Sequence, residues 1–182
     1  MHKRTPKNTY SLVYQILKLT HKKKMMRPEL FHPMFVHFPI VGITVLWIFK
    51  GLGLYQFFIK KNSNWISKDL LISRWILYPS IASYIISLYL GDVAFEAIKS
   101  QFSYLFKITH HEELAQKGLI FLVFVSLFEI LMHLKSIEKY QKIFFVLQWL
   151  LLSIVFYYLF QTAHSGASLV YDYQAGTIRG PL

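Results

Sequence analysis

Residues 143–163 read IFFVLQWLLLSIVFYYLFQTA, without one charged side chain. About 20 apolar residues are what an α-helix needs to cross a ~30 Å hydrocarbon core at ~1.5 Å per residue. Three earlier runs follow the same rule. Residues 33–50 form the first, and the apolar stretch extends to Ile59 if Lys50 snorkels along its own stem. Residues 75–95 form the second, with Pro79 near its start. Residues 114–134 form the third, which carries Glu129 and so depends most on its neighbours.

Four runs in 182 residues predict one all-α domain: an up-and-down, four-helix transmembrane bundle over residues 30–182. Composition agrees, with 54% hydrophobic and 16% charged residues, against about 25% charge in soluble domains. An even number of crossings puts both chain ends on one side. A short basic extension, residues 1–29, precedes the bundle, and a glycine-containing tail follows it.

The net charge of +11 is uneven, because Lys3, Arg4, Lys7, Lys18, Lys22, Lys23, Lys24 and Arg27 crowd the first segment. In a chain this apolar, anionic headgroups of the lipid bilayer are the expected partner. Nucleic acid is not, since no stacked-aromatic or helix-turn-helix pattern accompanies the charge. Tyr10–Leu19 is too short and too polar for the core of a signal peptide and is expected to lie as a short interfacial helix.

Trp47, Trp65, Trp75 and Trp149 all fall at one end of the bundle, here end B, as interfacial indoles do. End A then holds the N-terminus, residues 96–113 and the tail. Counting the basic extension, end A is cytoplasmic; a start at Met25 or Met26 would reverse the count.

Cysteine is absent. Disulfides, thiolate nucleophiles, cysteine-held clusters and covalently attached c-type haem are therefore excluded. Histidine is the remaining strong metal ligand, and five of the eight histidines fall at end A: His32, His37, His110, His111 and His164. His37 lies inside the first run between Pro33 and Pro39. Pro39 removes a helical hydrogen bond, so His37 is expected either to bond a carbonyl freed by the kink or to serve as a ligand. His110 and His111 precede Glu112 and Glu113, where a solvated helix start competes with a ligand role.

His164 ends a stripe of Ser153, Tyr157 and Gln161 on one helical face. That face is expected to turn inward, toward the Ser80, Ser83, Ser87 and Gly91 stripe of the second run. Asp92 and Glu96 share a face at end A as ligands, supporting groups or a wet helix end. Glu129 and His133, four apart, suggest a local pair at end B.

Four segments together resemble a bacterial four-helix membrane family known as domain of unknown function 2231. They are HPMFVHFPI (His32–Ile40), GDVAFE (Gly91–Glu96), HEELA (His111–Ala115) and AHSGASLVYDYQAGTI (Ala163–Ile178). The resemblance covers about residues 30–180. It implies four spans with these segments gathered at one surface, a bacterial inner-membrane setting and, by association with redox domains, a redox partner protein. By matching position it nominates His32, His37, Glu96, His111 and His164. Gly166-Ala167 stands where relatives carry Gly-Gly, and Tyr173 where they often carry histidine, which puts in doubt a ligand role for the tail.

The expected site at end A therefore uses His37, His111 and His164 as ligands for b-type haem, with His32 and Glu96 added for a transition metal ion, in electron transfer. A metal-dependent membrane enzyme and a cofactor-free structural or accessory subunit are the alternatives. Gly166 and Gly176 are expected to fold the tail over the site.

Overall fold

A computed structural model of the protein describes residues 30–60, 65–100, 102–132, 134 and 139–175, with the backbone alone for 65–70. The basic extension, His133 and Gly176 lie outside the described residues.

The helices are α1 (Phe31–Phe35), α2 (His37–Phe58), α3 (Trp65–Ile98), α4 (Leu105–Leu131) and α5 (Gln141–Tyr171). α1 and α2 make one crossing, interrupted at Val36. Pro39 has no N–H to offer Phe35, so the ladder breaks at this turn. The bonds Val36 N–H to His32 O (3.1 Å) and Ile40 N–H to Val36 O (3.3 Å) flank the break. The four expected crossings are all present and longer than the apolar runs alone suggested: α3 starts at Trp65, which is helical rather than in a loop, and α5 continues seven residues past His164.

α2 with α3 and α4 with α5 pack as two extensive hairpins; α2 against α5 and α3 against α4 close the ring. Ile43, Leu46, Leu77, Tyr84, Leu122, Val125, Leu152, Val155 and Leu159 form the core. No more than 28% of any spanning window is buried within the bundle. The remaining apolar surface, including Phe38, Val41, Ile120 and Phe160, is left uncovered by the described residues. Such helices fit the bilayer and make this a multi-pass membrane protein.

Small residues let the helices approach. A Cβ on Gly42 would collide with the Ser80 hydroxyl. One on Gly118 would stand 2.5 Å from the Tyr84 hydroxyl oxygen, and that hydroxyl donates to Ala115 O at 2.8 Å. Gly118→Ala is therefore expected to cost about 1–3 kcal/mol through overpacking. Measured by detergent-titration unfolding, the loss should shrink when Tyr84→Phe removes the colliding oxygen. An equal loss in both backgrounds would place the cause elsewhere.

The tryptophans do share end B, but two of them pack rather than anchor. Trp47 stacks on Trp149 at 5.8 Å and on Phe156 at 5.1 Å. Trp47 Nε1–H donates to Ser153 Oγ (2.8 Å) and Trp149 Nε1–H to Trp47 O (3.3 Å). Trp75, 77% exposed, is free to lie among headgroups.

Candidate functional site

At end A the structure brings together two of the expected histidines, His32 and His111, with ring centroids 6.2 Å apart and planes perpendicular. His32 enters from α1 and reaches across to α3, where its Nδ1 lies 2.9 Å from Ser87 O. A carbonyl only accepts, so Nδ1 carries the proton and Nε2 keeps its lone pair. The ring rests on Gly91, whose missing side chain leaves it room: a Cβ there would be 3.3 Å from Cε1.

His111 is held in the same way from the other hairpin. Its Nδ1 lies 2.8 Å from Ser165 Oγ, and Ser165 Oγ–H already donates to Thr162 O at 2.9 Å. With that hydrogen committed, the hydroxyl accepts from His111 Nδ1–H, and Nε2 is again the free donor atom. Gly166 supplies the space, since a Cβ there would be 3.0 Å from His111 Cε1. Gly166 is thus a helical contact point within α5, not the start of a folded-back tail.

The chain turns only after Tyr171. Gln174 takes a positive φ of 57°, and Ala175 N–H returns to Leu169 O at 2.8 Å. Tyr173 then packs on Tyr104 at 5.0 Å and under Lys107. It ties the tail to the start of α4 and takes no part in the histidine pair.

The other expected ligands sit elsewhere. His37 is exposed; its Nδ1 bonds Pro33 O at 2.7 Å, a carbonyl of the same helix break. His164 and His110 are exposed. Glu96 is 62% exposed and pairs with Lys99. Asp92 is exposed but lies within electrostatic reach of His32. Among the described residues no three His, Asp or Glu side chains cluster closely enough to hold a metal ion. The local reason is helical phase. His37 follows His32 by five residues, past the break at Val36, and His164 precedes Ser165 by one, so each points about 100° or more away from the pair.

The two polar stripes do not face each other either. Ser80, Ser83 and Ser87 bond carbonyls of their own helix, at Ile76, Ser80 and Ser83. Ser153 takes the Trp47 indole, while Tyr157 and His164 face outward.

A second polar centre lies near end B, and sequence reasoning did not assemble it. Lys50 Nζ and Glu129 Oε2 are 3.2 Å apart, with side chains 1% and 0% exposed. Gln148 Nε2–H donates to the same oxygen at 2.6 Å, and Phe145 lies under Lys50 at 5.0 Å. Glu129 thus looks across the bundle to α2 and α5. The available signal was one cation and one anion, each alone in an apolar run at a similar distance from end B. Eighteen residues of α4 separate Glu129 from His111, or ~27 Å along the helix.

No family model, curated protein or solved structure matches the chain. The resemblance thus rests on its four sequence motifs alone, and no family is shown for the chain. The bundle gathers one residue or more from each motif at the histidine pair: His32, Gly91, His111, and Ser165 with Gly166.

Proposed function

We propose that His32 and His111 hold a transition-metal centre at one membrane surface, as the iron of b-type haem or as a bare ion, and that the protein serves electron transfer there. One observation carries this reading. Both imidazoles have Nδ1–H committed to an acceptor of a neighbouring helix, which leaves two neutral Nε2 donors in one partly buried place. Metal-ligating histidines are characteristically oriented by just such a bond from the second nitrogen.

The donor set fits the group. Two neutral imidazoles would suit the iron of a b-type haem, which His32 and His111 would hold, whereas catalytic zinc generally draws three protein ligands. A metal-dependent enzyme is accordingly the weaker reading. Bound there, the centre would supply one-electron chemistry. The chain's own part is to fix both tautomers, to hold the rings through Ser87 and Ser165, and to keep the pair at the end of the bundle that a redox partner protein can reach. A helical multi-pass chain with these motifs suits a bacterial inner membrane, since the outer membrane is built from barrels.

The test is an absorption spectrum of the purified protein, with metal analysis of the same sample. A Soret band assigns haem; stoichiometric iron, copper or zinc without that band assigns a bare ion. Well-folded protein carrying neither, and taking up neither on reconstitution, would defeat the proposal and favour a cofactor-free subunit. Ser165→Ala removes only the acceptor of His111 and is expected to weaken binding of the centre ~10–100-fold. Equilibrium titration of the depleted protein reads this directly.

A further inference from the structure

The outer face of α5 carries polar groups where hydrocarbon should be. Tyr157, 56% exposed, and Gln161 both fall within the uncharged run 143–163 that crosses the bilayer. Gln161 Nε2–H donates to the Tyr157 hydroxyl oxygen at 3.1 Å. Among the described residues, the Tyr157 hydroxyl hydrogen has no acceptor and the Gln161 carbonyl oxygen no donor. Phe160, 65% exposed, flanks Tyr157 on the same outward face, and exposed His164 continues that face toward end A. A hydroxyl and an amide left in lipid are costly, because hydrocarbon offers neither donors nor acceptors.

The unmet groups complement one another. One chain has a spare donor at 157 and a spare acceptor at 161, one turn apart. Copies of a membrane protein insert with the same topology, so a two-fold axis between them runs along the bilayer normal. That axis places equal depths side by side, and because the Tyr157 hydroxyl and the Gln161 amide of one chain meet 3.1 Å apart, each comes within reach of the other copy's counterpart. Two reciprocal bonds would then satisfy all four groups. A lipid chain satisfies none, and an unrelated partner would have to supply the same donor and acceptor at the same depths. We infer that the protein forms a homodimer through this face of α5, with a second copy of the chain as its occupant.

The chain has no cysteine, so an introduced one reports cleanly. Phe160→Cys should form an oxidative dimer in native membranes, while Val41→Cys, on the lipid-facing side of α2 and 59% exposed, should not. Gln161→Leu adds an apolar group to an outward face, so helix content should be retained. It should weaken self-association in lipid bilayers about tenfold, the effect of losing a reciprocal pair of interhelical bonds. Tyr157→Phe should act in the same direction. Cross-linking at 160 no greater than at 41, cross-linking only to a different protein, or a dimer fraction unchanged by Gln161→Leu would each overturn the inference.

Discussion

Lys50→Met alone is expected to cost about 3–5 kcal/mol of stability, because it removes the cation that stands 3.2 Å from a carboxylate buried inside the bundle. The two side chains are 1% and 0% exposed and 3.2 Å apart, so neither can turn to water when its partner goes. Glu129→Leu should cost a similar amount by removing the buried anion beside Lys50. Most of the loss should return in the double variant Lys50→Met/Glu129→Leu, since a buried pair replaced by apolar groups of like size is often neutral or better. Gln148 would keep its weaker contact to Val125 O at 3.4 Å. Unfolding by titration from mild detergent into dodecyl sulfate, followed by circular dichroism, gives all three numbers. Single losses below about 1 kcal/mol, or a double variant no better than the singles, would show that the pair is not a coupled unit. Its role in that case would be marginal, as for an exposed pair.

The second large effect concerns the histidines. His111→Ala and His32→Ala should each lower affinity for the bound centre by more than ~100-fold, since even a lost supporting hydrogen bond costs ~10–100-fold. His37→Ala and His164→Ala should leave it close to the parent value, because both rings are exposed and neither belongs to the pair. The four variants, compared by Soret absorbance or bound metal per chain, form one internally controlled series. Retention in His111→Ala together with loss in His37→Ala would reverse the assignment of ligands.

The contrast between those four histidines marks where sequence stops informing. A stretch such as 143–163 states its environment outright, because crossing a bilayer takes a fixed length of apolar helix and little else satisfies the backbone there. Convergence of ends followed from counting crossings, which is why His32 and His111 could be expected at one surface. Which histidine faces which was not legible. A helix rotates ~100° per residue, and the break at Val36 alters the phase between His32 and His37. His164 and Ser165, adjacent in sequence, consequently point outward from the bundle and to His111.

Orientation misled elsewhere for the same reason. The polar face of α5 was expected inward because polar groups hold membrane helices together, and that rule does not say which neighbour they hold. Glu129 was matched by spacing to His133, which lies outside the described residues, and spacing along one helix could not show that Glu129 also reaches Lys50 on α2 and Gln148 on α5. Local periodicity lists the pairs one helix can make, but contacts between helices depend on rotation and register. Those are fixed by packing at points such as Gly42 against Ser80 and Gly118 against Tyr84.

The amino-acid order by itself determined the environment, the number of crossings and which end each motif occupies, because hydrophobic length and connectivity act along the chain. Only the tertiary structure decided the histidine pair, the buried Lys50–Glu129 contact and the outward face of α5. Each of these is set by how helices are turned about their axes, and that angle is chosen by the neighbours each helix packs against.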